Sequence, residues 1–75
     1  MRELVEYIAK RIVNNPDKVV VTEETGEEGL VIKLQVAEED RGRVIGKQGR
    51  VAQAMRALLR VMAARAGTRV TLDIV

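Results

Sequence analysis

The 75-residue sequence contains no cysteine, histidine, serine, phenylalanine or tryptophan. Without cysteine, the chain has neither a disulfide framework nor a thiolate metal site. Without histidine and serine, it lacks the commonest general base, the serine nucleophile and most zinc ligands. We therefore expect no enzyme, no cofactor, no metal site and no small-molecule substrate.

Long apolar runs are also missing. No stretch approaches the length of a membrane span, and the first residues begin an amphipathic pattern that differs from a signal peptide. We expect a cytoplasmic protein with no membrane segment. The length suits a single domain, residues 1–75, with a modest core and a small net stability that a partner would increase.

Aromatic side chains are almost absent, since Tyr7 is the only one. Proteins that stack unpaired bases on aromatic rings need several exposed Phe, Tyr or Trp side chains. An RNA recognition motif or an oligonucleotide-binding barrel is therefore not expected. A groove that holds bases by aliphatic contacts and edge hydrogen bonds is compatible with this composition.

Charge is abundant but divided along the chain. Residues 1–40 carry five basic and ten acidic groups, whereas residues 41–75 carry eight basic groups and one acidic group. The first part has a net charge of −5 and the second of +7. This asymmetry predicts one surface for a polyanion and another that is simply solvated.

Hydrophobic periodicity predicts the first half of the fold. Leu4 to Ile12 has helical spacing, and this helix should end near Asn14-Asn15-Pro16, because proline disfavours helix at the residue before it. A β-branched run from Lys18 to Thr22 and the alternating segment Leu30 to Val36 predict a hairpin. The acidic segment Glu23 to Gly29 is expected to be its solvated turn, since it lacks the ligand spacing of a calcium loop.

The second half should contain two helices and a strand. A short helix is expected after the acids Glu38-Glu39-Asp40, which favour a helix N-terminus, and it should break at Gly46. A long helix should cover Arg50 to Ala66, end at Gly67 and be followed by a strand near Val70 to Ile74. Its predicted core stripe is Val51, Ala54, Met55, Leu58 and Met62, with Gln53, Arg56 and Arg60 opposite.

A Gly-x-x-Gly loop, Gly46-Lys47-Gln48-Gly49, lies between these two helices. Its glycines permit backbone angles closed to other residues and leave backbone N–H groups uncovered. Near the start of a helix, such groups form an anion site suited to phosphate. Lys47 adds a positive charge and Gln48 a hydrogen-bonding amide. A nucleotide-binding P-loop does not fit, because Gln48 stands where its Ser or Thr is required.

The element order and the segment Val44-Ile45-Gly46-Lys47-Gln48-Gly49-Arg50 together resemble a KH domain of the type II arrangement. The whole chain is similar to the small single-domain bacterial KH proteins of the KhpA family. The resemblance implies an α+β fold of order α-β-β-α-α-β, with a three-stranded mixed sheet packed against three helices. It also implies an RNA-binding protein whose Gly46–Gly49 loop clamps the backbone of single-stranded RNA.

The resemblance and the local charge together give a set of candidate RNA-binding residues. By resemblance, Val44, Ile45 and the outward side of strand 30–36 would line the groove for the bases. Arg41 and Arg43, close to the loop in sequence, are expected to contact phosphates. The full set is Arg41, Arg43, Val44, Ile45, Gly46, Lys47, Gln48, Gly49 and Arg50.

The resemblance further implies partners and a cellular role. Such proteins form homodimers or pair with a larger KH-containing protein, and the Arg50–Ala66 helix is the surface we would expect them to use. They are linked to RNA chaperoning, to cell-wall (peptidoglycan) homeostasis and to cell shape.

Two other functions stay open at this point. The chain could be a protein-interaction subunit whose partner makes most RNA contacts. It could also bind duplex DNA, although the Arg50–Ala66 helix offers few side chains that read bases. Arg56 and Arg60 fit RNA contact and a solvated helix face equally well. Arg65 is expected to cap the helix C-terminus or to extend its charge into solvent.

Overall fold

The computed structural model describes all 75 residues and contains three α-helices and a three-stranded sheet. The helices are α1 (Arg2–Ile12), α2 (Arg41–Ile45) and α3 (Arg50–Ala66), and the strands are β1 (Val20–Gly26), β2 (Gly29–Gln35) and β3 (Val70–Ile74). Single turns of 3₁₀ helix occur at Pro16–Lys18, Glu38–Asp40 and Lys47–Gly49. The predicted α+β class and the order α-β-β-α-α-β are confirmed.

The sheet is mixed, with the strand order β1-β2-β3. β1 and β2 are antiparallel, with Val21 opposite Leu34, whereas β2 and β3 are parallel, with Ile32 opposite Leu72. All four of these side chains are buried. Because side chains alternate across a strand, they define the face of the sheet that the helices cover.

The core is one cluster of eleven buried residues from all the helices and strands, lying between this face and the helices. α1 contributes Val5 and Ala9, α2 contributes Val44, and α3 contributes Met55 and Leu59. The short α2 supplies only this one side chain, so its position depends strongly on how Val44 packs.

The hairpin differs from the prediction. β1 continues to Gly26, so Glu23 and Glu24 belong to the strand, and Glu27-Glu28 alone form the turn between the paired Gly26 and Gly29. Acidic residues are depleted in strands. Here they are tolerated because the end of β1 is exposed to solvent.

The predicted core stripe of α3 is largely wrong. The buried residues are Ala52, Met55, Leu59 and Ala63. Ala54, Leu58 and Met62 are exposed instead, with Leu58 50% and Met62 38% accessible. α3 has two apolar sides, and the side that faces the sheet carries two alanines together with Met55 and Leu59.

Candidate nucleic-acid interface

The Gly46–Gly49 loop joins α2 to α3 through backbone angles that favour glycine. Gly46 has φ 79° and ψ 170°, and its N–H donates to the Gly42 carbonyl at 2.8 Å. A side chain at position 46 would overlap Val51. Gly49 has φ 73° but no crowded neighbour, so the backbone angle alone favours glycine there.

Gln48 lies between these glycines in the left-handed region, with φ 58° and ψ 26°. It is the only non-glycine residue of the chain with a positive φ. Its Oε1 accepts a hydrogen bond from Nη2 of Arg50 at 3.3 Å. The loop therefore carries backbone strain at one exposed position, which is a feature that clusters at ligand-binding segments.

The start of α3 has no side-chain cap, since Gly49 occupies the N-cap position. The N–H groups of Gly49 and Arg50 already donate to the carbonyls of Gly46 and Lys47. The N–H groups that follow at the start of a helix have no partner within the helix, and the helix dipole gives that end a partial positive charge. Lys47 and Arg50 are exposed on either side of this helix start. Backbone donors and positive charge thus meet where a phosphate could bind.

Most of the sequence-predicted site residues share this accessible region. Arg41, Ile45, Lys47 and Gln48 are exposed, and neither Arg41 nor Lys47 forms a salt bridge. Arg43 is also exposed, but its Nε lies 3.9 Å from Oδ1 of Asp40. The positive charge of Arg43 is therefore partly neutralised by Asp40.

One expectation about the groove is corrected by burial. Val44 is completely buried, and its side chain packs in the core, where no ligand can reach it. Of Val44 and Ile45, only Ile45 is accessible, with 37% of its surface exposed. The outward side of β2, with Val31 and Lys33, lies on the face of the sheet opposite the core side chains Ile32 and Leu34, so its place in the groove stays a prediction.

The arginines of α3 have different roles. Arg56 donates from both Nε and Nη2 to the carbonyl of Leu72, at 3.3 and 3.1 Å, and so ties α3 to β3. Arg60 is exposed beside a shallow surface groove of about 360 Å³ that Arg69 also lines. Arg56 therefore has a structural hydrogen bond, whereas Arg60 forms neither a side-chain hydrogen bond nor a salt bridge.

Sequence reasoning missed Asp40, which is completely buried directly before α2. Its carboxylate accepts hydrogen bonds from the backbone N–H groups of Asn14 (3.1 Å) and Asn15 (3.0 Å) and from Nδ2 of Asn15 (3.0 Å). Nδ2 of Asn15 also donates to Glu39 at 2.7 Å. The one available hint was an acid before a short helix, and it was interpreted only as a helix-terminal charge.

The surroundings of Asp40 favour its ionised form. Burial raises the pKa of the carboxyl, but the hydrogen bonds from Asn15 and Asn14 and the nearby Arg43 outweigh burial, so the pKa lies below its usual value. Every buried side-chain polar atom in the structure has a hydrogen-bond partner. The ionised Asp40 therefore links the start of α2 to the segment between α1 and β1 through hydrogen bonds.

Two further findings concern other kinds of site. The structure contains no group of three or more acidic, histidine or cysteine side chains placed to hold a metal ion. None of its helices is both long and apolar enough to cross a membrane.

Comparisons with known proteins give a consistent result. The profile of a family described as "KhpA/KhpB, KH domain" matches residues 2–74. A protein named "RNA-binding protein KhpA" from Caldanaerobacter subterraneus subsp. tengcongensis is 51% identical over 75 residues and covers all of both chains. A protein of that name from Clostridium acetobutylicum is 47% identical, also over the full length of both chains.

A third relative gives a consistent match. The protein of this name from Aquifex aeolicus is 47% identical over 74 residues, which are 99% of this chain and 94% of the relative. No solved structure gives a significant match.

Proposed function

Because this chain belongs to the KhpA/KhpB family of KH domains, we propose that it binds single-stranded RNA through the Gly46–Gly49 loop. The observation that carries the proposal is the loop itself. Gly46 and Gly49 have positive φ angles, the start of α3 is uncapped, and Lys47 is an exposed cation without a salt bridge. These features suit the phosphate groups of a nucleic-acid backbone.

The accessible neighbours of the loop have separate roles in this proposal. Lys47, Arg41 and Arg50 contact phosphates, and the amide of Gln48 donates to the backbone of the RNA. The exposed side chain of Ile45 offers an aliphatic contact to a base. Arg43 contributes less to phosphate binding, because its charge is paired with Asp40. None of these groups reads a base edge by a fixed pair of hydrogen bonds, so little sequence discrimination is expected.

The test is the double substitution Lys47→Asp with Gln48→Asp. Both side chains are exposed, so the fold should survive, as circular dichroism would show. Binding of a labelled single-stranded oligonucleotide should fall by at least about tenfold, since one cation and one neutral amide beside the phosphate backbone are both replaced by anions. Equal binding by the parent and the double variant would refute the proposal. Duplex DNA at matched salt serves as the comparison ligand and should bind more weakly.

We also propose that two KH domains associate through the outer side of α3. Leu58, Val61 and Met62 lie there, with 50%, 59% and 38% of their surfaces exposed. Exposed apolar residues grouped on one helix favour a protein partner. A second copy of this chain or a larger KH-containing protein would place two loops on one RNA, and this raises the effective concentration of the second binding event.

This surface also favours the second candidate function, an interaction subunit whose partner makes most of the RNA contacts. Val61→Glu should convert an associated species into a monomer in sedimentation analysis. Val20→Lys is the matched control, because Val20 is a comparably exposed valine on β1. Crosslinking in cells would separate the two functions: RNA should crosslink to this chain directly if its own loop binds.

The cellular role follows from the family resemblance alone. We propose a cytoplasmic RNA chaperone that acts with a KH partner in cell-wall homeostasis and in the control of cell shape. A strain that lacks the protein should show altered cell dimensions. The parent gene should restore them, and the Lys47→Asp, Gln48→Asp variant should not.

A further inference from the structure

The buried carboxylate of Asp40 joins two segments that are distant in sequence. Its Oδ1 accepts from the N–H of Asn14, and its Oδ2 accepts from both the N–H and the side chain of Asn15. These contacts span 25 and 26 residues. They fasten the segment after α1 to the residue that immediately precedes α2.

α2 needs such an external attachment because it is only five residues long. A single helical turn is not stable by itself in water. Its position is fixed by two fully buried side chains, Val44 in the core and Asp40 at its start. Gly46 follows α2 directly and donates to Gly42 within it. A tilt of α2 would therefore be transmitted to the first residue of the loop.

We propose that Asp40 and Asn15 are a positioning pair for the Gly46–Gly49 loop, holding α2 in the orientation that lets the loop receive an RNA phosphate. The inference rests on the proposed RNA binding and deepens it. Neither residue contacts RNA: Asp40 is inaccessible, and Asn15 uses its side-chain amide on Asp40 and Glu39.

The same pair also orients a cation. Arg43 is the only basic side chain within salt-bridge distance of Asp40. The carboxylate faces Asn14 and Asn15 from the α1–β1 segment and Arg43 from α2, with Glu39 bound to the same Asn15 amide. Loss of the carboxylate would release Arg43 while it loosens α2, so a gain of free positive charge would accompany a loss of loop order.

The main test is Asp40→Asn, which keeps the size of the side chain. The new amide has one oxygen, and its own N–H₂ group faces an N–H donor, so the attachment is broken on one side. The matched control is Val21→Ala, which lowers stability through a buried core residue on β1 that takes no part in the Asp40 hydrogen bonds. Asn15→Ala is the milder second variant, because it removes the side-chain donor and keeps both backbone donors.

Each variant is studied at a low temperature where it is folded, with two readouts. Affinity for labelled single-stranded oligo(U) should fall about fivefold or more in Asp40→Asn and about twofold in Asn15→Ala, because a loosened α2 leaves a smaller fraction of molecules with the loop in its binding orientation. The amide NMR shifts of residues 46–50 in the free protein should move in both variants. In Val21→Ala, neither the affinity nor these shifts should change.

The inference is overturned if Asp40→Asn folds and keeps the parent's loop shifts and affinity. If Asp40→Asn does not fold, the same result in Asn15→Ala overturns it. It is also overturned if Val21→Ala weakens binding equally, since the effect would then reflect stability alone. The Lys47→Asp, Gln48→Asp variant is measured alongside. If that variant binds as the parent does, it is the proposed RNA site that fails, whatever Asp40→Asn does.

Discussion

The chain contains two Gly-x-x-Gly turns of equal length and opposite charge, Gly26-Glu27-Glu28-Gly29 and Gly46-Lys47-Gln48-Gly49. The first closes the hairpin between β1 and β2, and the second joins α2 to α3. In the hairpin, both central residues are acids and Gly29 alone has a positive φ, whereas three residues of the helical loop do. The spacing of two glycines therefore specifies a turn, and the flanking elements and charges give it a function.

Each turn requires one glycine because a side chain there would collide with a neighbour, and the neighbour differs between the two turns. At Gly29 a side chain would lie 2.5 Å from the carbonyl oxygen of Arg69, which accepts the Leu30 N–H where the hairpin meets β3. At Gly46 a side chain would overlap Val51 at the start of α3. Gly29 therefore permits the contact between the hairpin and β3, and Gly46 permits the close packing of the loop against the start of α3.

The largest expected effect comes from alanine at these two glycines. Gly29→Ala and Gly46→Ala should each lower the free energy of unfolding by about 3 kcal/mol or more, since a positive φ and a steric overlap act together. Urea denaturation measures this loss. At a temperature where both are folded, only Gly46→Ala should weaken RNA binding.

Gly42→Ala is the control for these substitutions. Gly42 lies within α2, has no crowded neighbour and has no positive φ. Alanine there should be neutral or stabilise by up to about 1 kcal/mol, as expected for a helix interior. Equal loss of RNA affinity in Gly29→Ala and Gly46→Ala would remove the distinction between the two turns.

Charge exchange between the turns should have the next largest effect. Glu27→Lys with Glu28→Lys, added to the Lys47→Asp, Gln48→Asp variant, more than restores the net charge. We expect it to recover less than about twofold of the lost RNA affinity at moderate salt, because contact with phosphates depends on where the cations lie. Fluorescence anisotropy with a single-stranded oligonucleotide would measure it, and full recovery would show that net charge alone governs binding.

A smaller difference in the free energy of unfolding is expected between Gly49→Ala in the helical loop and Gly26→Ala in the hairpin turn. Gly49 has φ 73° in open space, so Gly49→Ala should cost about 1 kcal/mol through the backbone angle alone. Gly26 has no positive φ, and an added side chain would make only an ordinary contact at 3.7 Å. Gly26→Ala should therefore change the unfolding free energy by less than about 0.5 kcal/mol. Similar costs would contradict the backbone geometry described for the loop.

The buried carboxylate of Asp40, close to the helical loop, should make the stability of the fold depend on pH. The pKa of Asp40 is lowered in the fold, so its contribution to stability is present above the unfolded pKa of about 4 and is lost as the pH falls through the lower folded value. Thermal unfolding between neutral and acidic pH should show this loss, and Asp40→Asn should reduce it.

Much of the fold follows from the sequence because its periodic segments are long relative to its turns. The bounds of α3 and β3 are as predicted, and Gly67 ends α3 with φ 70°. Periodicity could not decide which apolar side of α3 faces inward. Leu58 and Met62 are more hydrophobic than Ala52 and Ala63, yet they are exposed, and the two alanines are buried together with Met55 and Leu59.

The candidate site was predictable where it depends on local chemistry. The glycines, Lys47 and Gln48 form a continuous segment, so the sequence places them together. Burial of Val44 and the bond from Arg56 to Leu72 depend on packing between distant segments, and neither has a local pattern. Asp40 and Asn15 are 25 residues apart, and nothing in their immediate neighbourhoods indicates that they meet.

A titration with short single-stranded RNA, followed by amide NMR shifts, compares the two turns in one measurement. We predict that the amides of residues 46–50 shift progressively with added RNA and that those of residues 26–29 stay where they are. Shifts confined to the hairpin turn, or to the outer side of α3 with an unchanged Gly46–Gly49 loop, would contradict the assignment of RNA binding to this loop.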